Sequence, residues 1–92
     1  MYVRKTERFH FELQKVLHNI AKDKKTAAKE FNQKLEKLLN SLPLQPFRYR
    51  QSHSFGDERV RDLIFKGYTI PYLVTNIEII ILGIYNSNEW EA

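Results

Sequence analysis

Residues 61–85, RDLIFKGYTIPYLVTNIEIIILGIY, constrain the fold of this chain more than any other segment. Val, Ile, Tyr and Phe dominate there, and these side chains are favoured on a pleated, half-buried surface. Gly67 and the pair Thr75-Asn76 interrupt the run at points suited to tight turns. The pattern therefore predicts a meander of consecutive antiparallel strands at residues 59–66, 68–74 and 77–85.

Two amphipathic helical patterns precede this region. The first is predicted over residues 7–22, with Thr6 as its N-cap and an apolar stripe formed by Phe9, Leu13, Val16, Leu17 and Ile20. The second follows Thr26, which offers another N-cap, and ends at Pro43 and Pro46. Because the connection between them is short, the helices are expected to run antiparallel and to cover one side of a sheet.

Residues 47–54 alternate in a manner typical of a strand and are predicted to form the first long strand of the sheet. Their side chains would then point to two faces, Phe47, Tyr49, Gln51 and His53 to one and Arg48, Arg50, Ser52 and Ser54 to the other. Residues 2–5 can add a short N-terminal strand. Pro71 removes one hydrogen bond from its strand, so its position must face either a bulge or a partly open side.

The predicted architecture is α+β. An N-terminal antiparallel helical hairpin at about residues 7–42 packs on one face of a curved, mainly antiparallel four-stranded sheet at about residues 47–85. Residues 86–92 are expected to form a loose tail. The other face of the sheet is left open for function.

Length and composition exclude several classes of protein. Residues 1–92 are predicted to form one domain with a modest core. The absence of cysteine removes disulfides, thiolate metal sites and a cysteine nucleophile, and it favours a reducing, cytoplasmic location. No secretory signal is recognisable, and the longest apolar run is too short to cross a membrane. Neither a metal-ligand spacing nor a glycine-rich phosphate loop is present, so no cofactor or metal is expected.

The chain is basic. Lys and Arg number 15 and Asp and Glu 11, which gives a formal net charge of +4 and a pI near 9.4. Such a balance suits a polyanionic target or an acidic protein partner. The alternative is a solubilising coat, because most of the lysines fall on the predicted helix surfaces.

Three segments carry a resemblance to a known family. They are AAKEFNQKLEKLLNSLP at residues 27–43, RDLIFKGYTIPYLV at residues 61–74 and IEIIILGIY at residues 77–85. In order and spacing they resemble the RelE/ParE superfamily of toxins from type II toxin-antitoxin modules. The resemblance implies a growth-inhibiting toxin of the plasmid-stabilisation type and a cognate antitoxin, an acidic chain with a partly disordered segment, that neutralises it.

The superfamily divides by target, and two positions bear on the division. RelE-like members, which cut messenger RNA on the ribosome, carry an arginine directly after the tyrosine that Tyr68 matches, whereas this chain has Thr69. They also carry an arginine or histidine beyond the last strand, whereas Tyr85 is followed by Asn86 and Ser87. The resemblance therefore favours the ParE-like branch, associated with DNA gyrase, although the basic residues common after the last strand of that branch are missing too.

Three functions follow from this comparison. The first is a non-enzymatic toxin that binds an essential target such as DNA gyrase. The second is a ribosome-dependent endoribonuclease acting on ribosome-bound mRNA, with Arg50, His53, Arg61 and Tyr85 as candidate catalytic residues. The third is an inactive basic interaction domain. Whether the chain is an enzyme therefore stays open at the level of sequence.

Four arginines are the candidates for contact with a target or a phosphate: Arg48, Arg50, Arg59 and Arg61. If residues 47–54 form a strand, these guanidiniums can converge on the open face of the sheet, where planar donors fit phosphate. The alternative is that Asp57, Glu58 and Asp62 pair with them at the sheet edge, as exposed neighbours commonly do.

Three further side chains have both a functional and a structural interpretation. His53 can act near neutral pH, but the predicted alternation makes it a partly buried structural histidine. Tyr85 can donate a proton or stack on a base, or it can close the core. Trp90 is either a partner contact or a tail residue that packs on the sheet.

Overall fold

The computed structural model describes residues 1–87 and confirms the α+β arrangement of a helical hairpin on a sheet. Along the chain the elements are β1 (Tyr2–Lys5), α1 (Glu7–Asp23), α2 (Lys25–Ser41), a 3₁₀ turn (Leu42–Leu44), β2 (Val60–Phe65), β3 (Tyr68–Val74), β4 (Glu78–Ile81) and β5 (Tyr85–Asn86). Neither α1 nor α2, the helices of this described part, is long and apolar enough to cross a membrane.

Thr6 caps α1 as the sequence predicts. Its hydroxyl accepts a hydrogen bond from the backbone N–H of Phe9 at 3.1 Å and donates to the carbonyl of Ile81 at 2.9 Å, which ties the helix to β4. The predicted cap at Thr26 is wrong. The second helix begins at Lys25 behind Lys24, which makes no side-chain cap hydrogen bond. Because Lys24 is the single residue between the helices, Thr26 already lies inside α2 and cannot be its N-cap.

Within residues 1–87 the sheet has five strands and is mixed. Its order is β1-β4-β3-β2, and β5 pairs with β3 beyond the end of β4. β1 runs parallel to β4, whereas the other pairs are antiparallel. The β2–β3 hairpin turns on Lys66 and Gly67, whose φ angles of 49° and 84° are those of the tight turn that suits twisted strands.

One face of the sheet carries the core. Leu63, Ile70, Tyr72, Ile79 and Ile81 from the strands are fully buried against Phe9, Leu13, Phe31, Leu35 and Leu39 from the helices. The ring of Phe31 lies 5.0 Å from that of Phe65 and 5.6 Å from that of Tyr68, so α2 is anchored directly on the β2–β3 hairpin. No helix within residues 1–87 packs on the opposite face.

The prediction of a long strand at residues 47–54 is wrong. Only Gln51 makes a strand-like bridge, to Arg61 of β2. Before it, the carbonyl of Pro46 accepts a hydrogen bond from the buried Tyr72 hydroxyl at 2.7 Å, which holds this part of the chain on the helix-covered face. After it, Ser52 N–H donates to the Val60 carbonyl at 2.8 Å. The segment therefore crosses the outer edge of β2 and passes to the helix-free face.

The strand predicted at residues 77–85 is interrupted. β4 ends at Ile81 and β5 begins at Tyr85, and β5 takes in Asn86, which was expected to start a loose tail. Pro71 lies opposite this interruption. Its register partner Asp62 donates its N–H to the Arg50 carbonyl at 3.0 Å, on the side away from β3. The Pro71 backbone faces the opposite side, where its carbonyl accepts a hydrogen bond from Leu82 N–H at 2.9 Å. Pro71 therefore lacks its N–H beside the break between β4 and β5, where there is no regular strand to accept a hydrogen bond from it.

Candidate functional site

A row of paired residues crosses the helix-free face of the sheet. Ile64 of β2 pairs with Thr69 of β3, and Thr69 pairs with Tyr85 of β5. Together with Asp62 these side chains form the floor of a cleft of about 460 Å³, which we call the open-face cleft. Its lining is Arg50, His53, Ser54, Asp62, Ile64, Thr69, Tyr85 and Ser87.

Asp62 is the unusual member of the open-face cleft. Only 3% of its surface is exposed, and its Oδ1 atom has no hydrogen-bond partner among the described residues. Arg50, His53 and Ser54 line the cleft beside Asp62, and none of them donates a hydrogen bond to that oxygen. Because buried polar atoms in folded proteins are nearly always paired, this oxygen is suited to accept a hydrogen bond from a bound group.

Hydroxyl groups close the end of the open-face cleft. The Thr69 and Ser87 hydroxyl oxygens lie 2.6 Å apart in a hydrogen bond, and Ser87 N–H donates to the Gly67 carbonyl at 2.8 Å. These bonds hold the end of β5 against the β2–β3 hairpin. The position of Tyr85 in the cleft is therefore fixed from its C-terminal side.

Glu12 of α1 fixes Tyr85 from the other side. Its Oε1 atom accepts a hydrogen bond from Ile84 N–H at 3.1 Å. The same carboxylate lies over Gly83, where an added Cβ would come within 2.5 Å of Oε1. A side chain at this position would therefore displace the Glu12 carboxylate, and the backbone leaves the line of β4 here to restart as β5.

The four arginines do not converge, so the expectation of a shared guanidinium cluster is wrong. Arg50 lines the open-face cleft, whereas Arg48 lies over the ring of Tyr49, 5.6 Å from its centroid. Arg61 pairs with the buried Tyr72 and hence lies on the helix-covered side. The segment at residues 47–54 crosses the edge of β2 instead of extending along it, and this crossing separates Arg50 from Arg61.

Arg59 and Arg61 have structural partners. The guanidinium of Arg59 binds both carboxylate oxygens of Asp57, at 3.1 Å and 2.8 Å, and these hydrogen bonds lower the pKa of Asp57 to about 2. Arg61 donates to the backbone carbonyls of Glu58 and Tyr49 and lies 4.9 Å from the ring centroid of Phe47. The predicted pairing with an acidic neighbour is therefore found for Arg59, but Arg61 is held by carbonyls and a ring.

The remaining candidates fall in different places. His53 is exposed at the open-face cleft, so its interpretation as a partly buried structural histidine is wrong. Trp90 lies outside the described residues. Within residues 1–87, no three His, Asp or Glu side chains are grouped so that they can hold a metal ion.

The structure brings together Arg50, His53 and Tyr85 and adds Asp62, which sequence reasoning treated only as a partner for arginines. The sequence pattern that could have indicated this is the alternation of side chains along the strand. Because Leu63 and Phe65 point to the core, Asp62 points to the opposite face. A basic side chain, an imidazole, an aromatic ring and an orphaned carboxylate now line one cleft. That set can bind a ligand that carries both hydrogen-bond donors and negative charge.

A second cleft of about 440 Å³ runs along α1 beside β5. We call it the α1 groove. Phe11, Val16 and Ile84 supply apolar surface, and Arg8 and Lys15 supply positive charge. Phe11 is 63% exposed, with the Lys15 ammonium 4.5 Å from its ring centroid. Glu12 lines the groove as well and pairs with Arg8 at 3.4 Å, so the groove combines an exposed apolar ring with one paired cation, Arg8, and a second cation, Lys15.

Comparison with known proteins finds a protein family and a solved structure that match this chain. A family model described as ParE toxin of type II toxin-antitoxin system, parDE, matches residues 3–89. Among solved structures, one titled as the chromosomal ParDE TA system from P. aeruginosa has a similar fold, with a TM-score of 0.77 and 21% sequence identity over 94% of this chain and 95% of that chain. No curated protein matches the sequence.

Proposed function

This chain belongs to the ParE toxin family of type II toxin-antitoxin systems, and from that premise we propose that it inhibits growth by binding DNA gyrase and that a cognate antitoxin neutralises it. The toxin is proposed to act by binding and not by cleavage.

The burial and hydrogen bonding of Thr69 are the observations that support binding over cleavage. RelE-like nucleases resemble this chain but place an arginine after the tyrosine that Tyr68 matches. Here Thr69 is 4% exposed and its hydroxyl is engaged with that of Ser87 at 2.6 Å. A nuclease needs cations that stabilise the charge developing on the phosphate, and this position supplies a buried neutral side chain.

The charge of the chain supports a protein target with an acidic surface. The formal net charge is +4, and Arg50 presents a guanidinium at the mouth of the open-face cleft. Complementary charge speeds encounter and fixes orientation more than it raises affinity. Arg50 is therefore the proposed target contact on this face.

The α1 groove supports the antitoxin part of the proposal. An amphipathic helix places its apolar face in such a groove, and acidic residues at its margin pair with cations on the rim. Phe11 offers the apolar surface, and Lys15 offers a cation beside Arg8, which is paired with Glu12. An acidic antitoxin segment fits this arrangement, and it would leave the open-face cleft on the other side of Tyr85 uncovered.

Supercoiling and cleavage assays with purified gyrase test the target. We expect the toxin at stoichiometric concentration to inhibit supercoiling, and Arg50→Ala to weaken inhibition at least about fivefold through loss of a charged contact. Lys29→Ala, which removes one positive charge from the exposed surface of α2, is the matched control and should inhibit as the unmodified toxin does. Normal supercoiling at equimolar toxin would refute gyrase as the target.

Colony counts after induction test neutralisation. Induction of the toxin alone should reduce colony number, and co-expression of a short acidic protein encoded beside it should restore growth. Phe11→Asp should keep the toxin active but abolish rescue, because the new carboxylate repels an acidic partner and removes the apolar contact. Rescue that persists with Phe11→Asp would remove the α1 groove from the proposal.

One observation favours a second candidate. Arg50, His53 and Tyr85, which are candidate residues for a ribosome-dependent mRNA endoribonuclease, line the same cleft. The fourth candidate, Arg61, is held on the other face by the Tyr49 carbonyl. Primer extension of cellular messages after induction separates the two functions. Absence of new cleavage sites, or cleavage that survives Arg50→Ala and Tyr85→Phe, counts against the nuclease.

A further inference from the structure

We propose that the open-face cleft binds a guanine nucleotide, with the Asp62 carboxylate accepting hydrogen bonds from the base and Arg50 contacting the phosphate. The ligand is defined by its chemistry, a guanine base carrying a 5′-phosphate, whether free or within a single strand. This inference goes beyond the proposed function, since inhibition of gyrase does not require it and no cleavage step is involved.

The Asp62 carboxylate determines that the ligand must donate hydrogen bonds. Only 3% of the residue is exposed, and Oδ1 has no hydrogen-bond partner among the described residues. An ionised carboxylate only accepts hydrogen bonds, and it accepts them on both oxygens. A group that enters the cleft and presents N–H donors side by side therefore satisfies an otherwise costly buried atom.

The surroundings of Asp62 favour a neutral donor over a cationic one. Arg50 lines the same cleft, and the chain as a whole carries a formal net charge of +4. An incoming lysine or arginine side chain would meet the like charge of Arg50 at the mouth. The Watson–Crick edge of guanine is neutral and presents adjacent N1–H and N2–H donors. Adenine and cytosine place an acceptor nitrogen beside their amino group, and that nitrogen would face the carboxylate.

The floor of the cleft suits a planar base. Ile64 is 46% exposed and Tyr85 is half-buried, and both lie in one cross-strand row with Thr69 between them. An apolar side chain and an aromatic ring at this spacing offer a surface on which a base can stack. The cleft volume of about 460 Å³ lies within the range of small-ligand sites, roughly 300–1,000 Å³.

The rim of the cleft suits a phosphate. The guanidinium of Arg50 can donate two parallel hydrogen bonds to phosphate oxygens, and His53 and Ser54 add further donors at the same mouth. The donors for the anion and the acceptor for the base thus belong to different parts of one cleft. A nucleotide is the ligand class that uses both.

Equilibrium binding to the full chain tests the proposal, with GMP, AMP and IMP as free probes and the single-stranded RNAs UUGUU and UUAUU as strand probes. We expect GMP to bind at least about tenfold more tightly than AMP, as for one good bidentate base contact. IMP, which keeps N1–H but lacks the N2 amino group, should lie between them. A preference seen only between the two RNAs would support the same site with a nucleic-acid strand as its source. No guanine preference in either set would overturn the proposal.

Variants locate the site. Asp62→Asn should abolish the preference of the chain for GMP over AMP, and Arg50→Ala should weaken both nucleotides by a similar factor. Lys29→Ala on α2 is the control of equal charge loss and should change neither affinity. Thermal unfolding checks that Asp62→Asn is folded, and if it is not, the order GMP, IMP, AMP in the unmodified chain still decides. A folded Asp62→Asn that retains the guanine preference would overturn the proposal.

Discussion

Glu12 of α1 accepts a hydrogen bond from the backbone N–H of Ile84 across 72 positions of sequence, with 3.1 Å between Oε1 and the amide nitrogen. This bond takes the place of a strand-to-strand bond and marks where β4 stops and β5 begins. Since Tyr85 follows directly, the same contact positions a ring of the open-face cleft.

Gly83→Ala should destabilise the fold by about 1–2 kcal/mol, because the new methyl group displaces Glu12 and leaves the buried Ile84 N–H unpaired. Urea denaturation measures the free energy of unfolding. Glu12→Ala alone should also be destabilising. In the double variant the steric conflict is gone, so the combined cost should be smaller than the sum of the two single costs. If the two costs add strictly in the double variant, the steric conflict with Glu12 does not explain the effect of Gly83→Ala.

Tyr72→Phe should cost about 1–2 kcal/mol in the free energy of unfolding at neutral pH, because it removes the donor to the Pro46 carbonyl at 2.7 Å. Tyr49→Phe is the matched control. The Tyr49 ring packs edge-on against Tyr72 at 6.4 Å, but its hydroxyl makes no hydrogen bond of this kind within residues 1–87, so the change should be small. Equal costs for the two variants would contradict the role assigned to the Tyr72 hydroxyl.

The same tyrosine predicts a loss of stability at alkaline pH. Burial raises the pKa of Tyr72 to about 12 from its ordinary value of 10.0, so the neutral phenol is favoured in the folded chain. Its contribution is complete below pH 10 and is lost as the pH rises towards 12, because the unfolded chain ionises first. Unfolding measured across this interval should show a shallower decline for Tyr72→Phe than for the unmodified chain. Parallel curves would argue against a buried neutral phenol.

Asp57 should titrate well below an ordinary aspartate. Hydrogen bonds from Arg59 lower its pKa from 3.8 to about 2, so the contribution of this pair is present above pH 3.8 and is lost as the pH falls towards 2. Carboxyl titration followed by NMR measures the pKa directly. Arg59→Ala should move the Asp57 pKa back towards 3.8, whereas Arg48→Ala should leave it in place. An unchanged pKa in Arg59→Ala would show that the exposed pair is not formed in solution.

Two glycines in turns should respond differently to alanine. Gly67 has a φ of 84°, which a residue with a Cβ adopts only with strain, so Gly67→Ala should cost about 1 kcal/mol. Gly56→Ala is the control, since an added Cβ there also meets nothing within 4 Å and its φ is not in the left-handed region. Thermal and urea unfolding should therefore separate the two variants. A comparable loss in both would mean that the backbone angle is not the cause.

We expect Arg61 to contribute to stability and Arg50 to contribute to function. Arg61→Ala should lower the free energy of unfolding by about 1 kcal/mol, because it removes hydrogen bonds to two backbone carbonyls and the contact with Phe47. Arg50→Ala should stay within about 0.5 kcal/mol, since its side chain lines the mouth of a cleft. A large loss of stability in Arg50→Ala would assign that arginine to the fold.

Apart from the start of α2, the local sequence pattern was sufficient to predict the helices and the strands β2 and β3. The stripe of Phe9, Leu13 and Val16 and the cap at Thr6 depend on neighbours in sequence, and both are found in the structure. The same holds for the hairpin centred on Gly67. In each case the residues that determine the element lie within it.

The errors at residues 47–54 and 77–85 share a different physical origin, which is contact between distant parts of the chain. Residues 47–54 alternate like a strand, but the bonds from Tyr72 to Pro46 and from Ser52 to Val60 carry them across the edge of the sheet. Residues 77–85 read as one apolar run, but Glu12 interrupts it from another element. The burial of Asp62 follows from the first of these crossings, so the central feature of the open-face cleft had no local signal beyond its place opposite Leu63 and Phe65.

The parallel partner of β1 is synthesised late. Arg4 and Glu78 pair across 74 positions of sequence, so the first strand has nothing to join until β4 has left the ribosome. During that interval the apolar stripes of α1 and α2 lack the sheet that covers them, which is the situation in which nascent chains aggregate or recruit chaperones. The sheet on which both helices pack, and with it the open-face cleft, is therefore complete only after β4 and β5 have emerged.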